Sequence, residues 1–395
     1  MKKFFMFAAM ASVALVSCVK NEGPSATANQ EAEISFDVPV MSSVTKAVPG
    51  GVTEYVNPFD KASKFGVWAH YSDNLWADAA LVSEVYMNEV EISYVGNNAT
   101  SKAWKNSGMK YYWPKNGVLH FSAYAPYDGA EVTEAAEIGA AGVKFEDYTV
   151  KADLTNQRDL LFSERVYNAE AAGTGADNSY TDGVVINFQH ALAAINFKVK
   201  LKESYYNSTT LKNDIDIIVT KIEVSGIKST GNFDQALTPA VNSVTIKSKP
   251  ANVGDTDYSS CWTAAADTVT YVAYEADTKA GDKYTSTEAI ILTTDAVYTH
   301  TKTTNAAGKS TLMLLPQELS AGADPLMGAK VKVYYYVDNG TAYLDQVHTF
   351  SLDGEEWYRG YRHNYTISIG VNEIFFDPEV TDWDNVDEPT LEDHE

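Results

Sequence analysis

Alternation of apolar and polar residues dominates this chain. From 33 to 40 it is strict: Ile34, Phe36, Val38 and Val40 fall on one face, and Glu33, Ser35 and Asp37 on the other. A period of two predicts a half-buried strand, and Pro39 places it at a sheet edge or ends it there. Further on, Val331, Val333, Tyr335 and Val337 alternate with Lys330, Lys332, Tyr334 and Tyr336 ahead of Asn339-Gly340, and a second strand runs through Phe350. An Asn-Gly pair between two such runs predicts a tight hairpin. The same pair at Asn116-Gly117, between Tyr111-Tyr112-Trp113 and the apolar run from Val118 to Tyr124, predicts another. Near the end, Tyr365, Ile367, Ile369 and Val371 alternate with Thr366, Ser368 and Gly370.

Between residues 184 and 201 the phase changes. Ile186 and Phe188 hold one phase and Ile195, Phe197, Val199 and Leu201 the other, so a bulge or break is expected between Leu192 and Ile195. Sustained helical periodicity is missing. Thr155–Ala171 and Gly129–Ala141 lack a three-to-four apolar stripe and read as loops or short helices. Residues 42–51 are rich in Ser, Pro and Gly and read as an exposed linker, while the small, polar stretch 169–183 reads as a domain boundary. Many short strands with close turn signals predict an all-β chain of two tandem β-sandwich domains, 47–180 and 181–395, after an N-terminal segment 18–46.

The first residues carry an address. Lys2 and Lys3 precede an apolar stretch from Phe4 to Val16, a signal-peptide core too short to span a bilayer as a mature helix. Leu15-Val16-Ser17-Cys18 closes it and resembles a bacterial lipobox, in which the cysteine is acylated after removal of residues 1–17. Ordinary signal cleavage near the same place is the alternative. Residues 19–30 are small and polar and suit a tether between lipid and first strand. Nothing after residue 18 is apolar for long enough to form a transmembrane helix.

Composition narrows the function. The 395 residues carry 53 Asp and Glu against 30 Lys and Arg, a net charge of −23, which repels phosphate backbones and argues against nucleic acid as a partner. With Cys18 lipidated, Cys261 has no intramolecular partner, so core packing must supply the stability. Cys261, beside Trp262, reads as a packed small residue. The catalytic motifs are missing: no HExxH, CxxC, glycine-rich phosphate loop or GxSxG elbow occurs. His190 and His363 read as structural histidines. The run from Asp382 to Asp387 fails calcium-loop spacing at Val386, and Asp255 with Asp257 makes a bare carboxylate pair. No enzyme activity, cofactor or metal is expected. Trp68, Trp76, Trp104 and Trp113 could stack on sugars, although aromatics in strands more often form cross-strand core pairs.

Several phrases in order resemble the fimbrillin family, the type V pilins of anaerobic Gram-negative bacteria. They are Tyr112-Trp113-Pro114, Phe121-Ser122-Ala123-Tyr124-Ala125-Pro126, Arg158-Asp159-Leu160-Leu161 and Phe188-Gln189-His190-Ala191-Leu192. Leu314-Leu315-Pro316-Gln317, Tyr361-Arg362-His363-Asn364-Tyr365-Thr366-Ile367 and Val380-Thr381-Asp382-Trp383 follow. The resemblance implies transthyretin-like sandwiches, export as an outer-membrane lipoprotein, and maturation by a protease cutting after a basic residue. The matching position is Lys46, before Ala47.

In such a mechanism the strand bearing Ile34, Phe36, Val38 and Val40 fills a groove until cleavage lets it leave. A neighbouring subunit then supplies an extended C-terminal segment, and head-to-tail contacts of this kind grow into a fibre. The partners implied are other pilin subunits, outer-membrane lipid through Cys18, the maturation protease, and a host glycan or protein ligand. The rival reading is a lipid-tethered protein that never polymerises and binds glycans through aromatics on one sandwich face. A surface hydrolase, a third class, would need a catalytic pair the sequence does not display.

Overall fold

The computed structural model describes residues 32–38, 63–73, 84–96, 104–127, 142–171, 179–180, 183–202, 216–235, 261–276, 279–280, 283–284, 289–299, 311–320, 328–338, 343–370 and 374–382. Among them the regular elements are strands, apart from one 3-10 turn at Leu154–Asn156. The chain is all-β, as its alternation predicts.

One sheet has ten strands. Its main path runs Val184–Val185, Phe36–Asp37, Trp104–Lys105, Glu84–Tyr94, Lys64–Ser72, Val118–Ala125, Leu161–Ser163 and Phe188–His190. Two five-stranded sheets follow in the second half. In one, Val297–Tyr298, Ala193–Leu201, Tyr361–Ile369 and Ile374–Asp382 lie side by side; in the other, Thr268–Glu275, Asp216–Lys228, Lys330–Asp338 and Tyr343–Ser351 do. Ile195, Phe197 and Val199 of the first share a single apolar core with Val219, Ile222, Val331 and Val333 of the second. Such sharing of a core between two sheets is sandwich packing.

The central strands of the ten-stranded sheet are buried on both faces. Phe65, Val67, Ala69, Leu119 and Phe121 point into a smaller core of their own. Trp68 and Tyr124, on the opposite face, point into the larger one. There a run of rings links the halves: Tyr124 to Phe145 at 5.9 Å, Phe145 to Phe233 at 5.5 Å, and Phe233 to Trp262 at 5.3 Å. A three-stranded sheet of Trp262–Ala264, Thr230–Asp234 and Lys144–Thr149 lies over the same rings and joins early and late sequence. Trp68, Trp104, Trp113, Trp262 and Trp357 are all buried, as is Cys261. These tryptophans are core residues.

Several local readings need correction. Thr155–Ala171 contains two strands: Leu161–Ser163, buried throughout and too short to show alternation, and the half-buried Val166–Ala171, which pairs with Val118–Ala125. Asn116-Gly117 does not close a hairpin. The strand after it pairs with Lys64–Ser72, while Tyr112 bridges to Glu33. Gly117 is needed at φ 76°, where a Cβ would lie 2.5 Å from the Ser72 carbonyl oxygen. The second hairpin forms: Lys330–Asp338 and Tyr343–Ser351 pair antiparallel, with Asp338 opposite Tyr343. Its Asn339-Gly340 turn lies outside the described residues. The phase slip also has a structural cause. The chain leaves the ten-stranded sheet at His190 and enters the next at Ala193, so the crossing falls at Ala191-Leu192, downstream of the 180/181 boundary that composition suggests.

The ten-stranded sheet also buries a histidine pair. His70 and His120 face each other across neighbouring strands, and both are buried. Nδ1 of His120 accepts the Asn168 backbone N–H at 3.2 Å, the Tyr167 ring lies 6.0 Å away, and burial with the nearby His70 lowers the His120 pKa to about 4. The folded state thus keeps His120 neutral where the unfolded chain, with a pKa near 6.5, takes up a proton. Stability should be unaffected above about pH 6.5 and should fall as the pH drops towards 4, by roughly 2–3 kcal/mol at most. Thermal melts at pH 7 and 4.5 would measure this, and His120→Gln should flatten the dependence.

Candidate functional site

Residues 33–38 occupy a slot whose walls come from distant sequence. Phe36 pairs with Trp104 in an antiparallel ladder on one side and with Val184 in a parallel ladder on the other. The Ile34 N–H donates to the Tyr111 carbonyl at 2.8 Å, and the Trp113 N–H donates to the Ala32 carbonyl at 3.0 Å. From the opposite wall, Val184 N–H donates to the Ser35 carbonyl at 2.8 Å and Ile186 N–H to the Asp37 carbonyl at 2.9 Å. The segment is hydrogen-bonded along both edges.

Its apolar side chains fill the smaller core. Phe36 is 1% exposed and meets Phe65 and Phe121 edge-on, at 6.0 and 5.7 Å. Ile34 and Val38 are buried beside it. Three such side chains contribute about 1.5–3 kcal/mol each. Behind them, Phe65 packs on Trp104 and Phe188, and Trp113 on Phe121. At the mouth, the Lys105 ammonium lies 3.0 Å from the Glu33 carboxylate, each side chain roughly three-quarters buried.

The half-buried pattern read from the sequence needs one correction. Ser35 is also buried, because the strand lies inside a sheet whose second face is covered at that point; Asp37 is exposed. The strand does not lie at a sheet edge, since both its edges are paired; Pro39 lies outside the described residues.

Two wall residues escape sequence reasoning. Gly183 has φ 101°, and a Cβ there would lie 3.0 Å from the Phe36 carbonyl carbon and 3.1 Å from the Asp37 nitrogen. Glycine at this position lets the 33–38 backbone come close. Its sequence signal, a glycine ending the polar stretch 169–183, reads equally well as linker. Lys105 is one of many lysines in the sequence, and only the fold brings it to Glu33.

A family model described as fimbrillin-like matches residues 45–383. The chain belongs to the fimbrillin-like family. No curated protein sequence matches it. Among solved structures, a fimbrial protein from Bacteroides vulgatus is similar at 16% identity, covering 89% of this chain and 99% of that one with a TM-score of 0.53. A Bacteroides uniformis protein assigned to cell adhesion is similar at 14% identity over 89% of this chain and 99% of that one, TM-score 0.44. The tip fimbrial protein Mfa3 from Porphyromonas gingivalis, with a C-terminal truncation, is similar at 10% identity over 81% and 94%, TM-score 0.32. The first of these shares the fold of this fimbrillin-like chain across nearly its whole length.

Cys18, Lys46, Ala47 and Val40 lie outside the described residues, as do Trp76, Asp255, Asp257 and the run after Asp382. His190 sits where the sheets meet, its Nδ1 2.9 Å from the Asp159 carboxylate. His363 Nε2 accepts the Tyr358 backbone N–H at 3.1 Å. His190 thus pairs with a side chain and His363 with the main chain, and among the described residues no three metal-ligating side chains come together.

The slot makes a graded prediction for the uncleaved chain. Phe36→Ala should cost about 3–5 kcal/mol, and Ser35→Asp should be poorly tolerated because the carboxylate is buried. Asp37→Ser should stay within about 0.5 kcal/mol. Gly183→Ala should cost more than about 1 kcal/mol by straining a left-handed backbone position against Phe36. Urea denaturation of the four variants tests the order, and equal effects at 36 and 37 would mean that the strand is a passive tether.

Proposed function

We propose that this chain is a structural fimbrial subunit, not an enzyme, that polymerises by strand exchange and contributes to adhesion. It is exported as an outer-membrane lipoprotein held by Cys18 and matured by cleavage between Lys46 and Ala47. The observation that carries the reading is the slot. Residues 33–38 lie upstream of the candidate cut, yet they fill the interior of a sheet built from downstream sequence. A cut in the linker severs them from their sheet and lets them depart with the lipid. The vacated slot then presents two unpaired edges and an apolar floor, a template for a strand from another subunit. Membership of a fimbrial family and the similarity to the fimbrial protein of Bacteroides vulgatus support the same reading.

On this route the partners are other pilin subunits, the membrane lipid, the maturation protease and an adhesion ligand, either glycan or protein. A glycan platform of tryptophans gains no support, since Trp68, Trp104 and Trp113 are buried.

Intact mass and N-terminal sequencing of protein from the cell surface provide the test. Fibre subunits should begin at Ala47, and precursor should carry lipid on Cys18. Cys18→Ala should release the chain from membranes, and Lys46→Ala should leave it monomeric with the slot filled. Fibres whose subunits retain residues 19–46 would refute the route.

A further inference from the structure

The sheets of the second half end in strands that are guarded very differently. Ile374–Asp382 ends one sheet and carries Asp377, Pro378, Glu379 and Asp382. Thr268–Glu275 ends the other, and two register shifts interrupt its ladder with Asp216–Lys228. Charge, proline and bulges are the devices that keep a sheet edge from pairing with another chain. Tyr343–Ser351, at the far side of that second sheet, lacks them. It pairs with Lys330–Asp338 over nine residues without a shift, holds no proline or glycine, and has Asp345 as its one acidic residue and no Lys or Arg. Among the described residues no strand lies along its other side. Leu344 and Val347, both on this strand, are 56% and 57% exposed.

We infer that this edge is a seam between two copies of the chain, in which Tyr343–Ser351 of each copy pairs antiparallel with its twin about Val347. Val347 is the midpoint of the strand, so a two-fold axis there overlaps all nine residues. Residues opposite one another in an antiparallel pair share a face. On the outer face Val347 meets Val347 of the second copy, and Tyr334, its neighbour on the inner side, extends the apolar row in both copies. Asp345 meets Thr349 of the second copy, whose own inner neighbour is Lys332. The lysine passes the small threonine to reach the carboxylate, across two strand spacings of about 5 Å each. On the other face Leu344 meets Phe350, beside Val337 and Val331.

Charge selects this register over its neighbours. Centred on residue 345, the pairing sets the two aspartates against each other, which is destabilising. Centred on 346, it sets Asp345 against Val347 and moves it away from Lys332. The chain's net charge of −23 opposes the approach of a second copy, and the two symmetric Lys332–Asp345 contacts offset that locally. A two-fold seam is isologous and closes at two copies. On the fibre route proposed above it would tie fibres side by side, but the seam itself does not depend on strand exchange.

The test uses the full-length, uncleaved chain, with residues 33–38 in their slot, so its outcome leaves the strand-exchange reading untouched. Cys18→Ala makes the buried Cys261 the only other thiol. Sedimentation equilibrium at about 100 µM chain, a level suited to a small interface, should show a dimer. Val347→Lys should weaken it at least tenfold with an unchanged melting temperature, as expected of an exposed position. Lys332→Glu should weaken it about tenfold, and Lys332→Glu with Asp345→Lys in one chain should restore it. The register has its own readout. Oxidised Val347→Cys should give a disulfide-linked dimer, because opposed Cα atoms lie about 4.5–5.5 Å apart. Thr349→Cys should not, because its two copies are four residues apart, about 14 Å along the strand.

A chain that stays monomeric at that concentration, or a dimer that Val347→Lys leaves intact, overturns the seam. Equal cross-linking at 347 and 349 overturns the register and with it the role of Lys332. Should Val347→Lys lower the melting temperature, the disulfide arm decides alone: no dimer from Val347→Cys refutes the proposal.

Discussion

Two rows of backbone hydrogen bonds, one on each side of residues 33–38, are the constraint on which the rest of the molecule depends. Neighbouring strands in a sheet are usually neighbours in sequence, joined by short connections. Here the neighbours are Trp104–Lys105 and Val184–Val185, and the strand between them reaches them from far upstream. Without it, the ten-stranded sheet would be split at that position, leaving two open edges above Phe65, Phe121 and Phe188. Soluble proteins guard such edges because they recruit other strands. A sheet completed by a segment from far upstream carries its recruiting edge concealed.

Much of this was legible in the chain and some was not, for identifiable reasons. The alternation of Ile34, Phe36 and Val38 announced a strand with an apolar face, and that face is in the core. Its polar partner residues misled at Ser35, because alternation reports only which residues are apolar and a side chain as small as serine is buried without being so. Asn116-Gly117 carried a turn signal whose glycine serves a close approach to Ser72 instead of a hairpin. Long-range pairings were invisible. Nothing in Lys105 or Gly183 marks them as walls of a slot, since their roles exist only after residues 104, 183 and 36 have been brought together by the fold.

Three of the phrases that carry the family resemblance are explained by the crossing between sheets. Arg158–Leu161, Phe188–Leu192 and Tyr361–Ile367 converge where the ten-stranded sheet hands over to the sandwich. Leu160 accepts the Ala191 N–H at 2.8 Å, the Trp262 indole donates to the Ala191 carbonyl at 2.7 Å, and Gly360 N–H donates to Leu192 at 2.9 Å. Arg359 adds a bond to Gln189 at 3.2 Å while lying over the Phe162 ring. Buried main-chain groups at a crossing between sheets have no ladder to join, so side chains must satisfy them. Gln317, which bonds the Lys228 main chain, belongs to this set, while His190 meets the Asp159 carboxylate side chain to side chain.

On the proposed route, a cut in the linker would change none of the contacts that seat residues 33–38; it would change their effective concentration. While the segment is tethered, the slot sees it at an effective concentration on the order of millimolar, and a competing strand free in solution loses. Once it is cut, the same contacts must compete as a bimolecular complex against a strand presented by a neighbouring subunit. On the same proposed route, membrane anchoring of the departing piece would lower its local concentration further as the mature subunit moves away. On this argument the switch requires no strain in the precursor and no weakness in the slot. A slot that binds its first occupant well also binds its replacement well, so the stability of the precursor and the durability of the joint rise together through Phe36, its pocket and the two hydrogen-bonded edges.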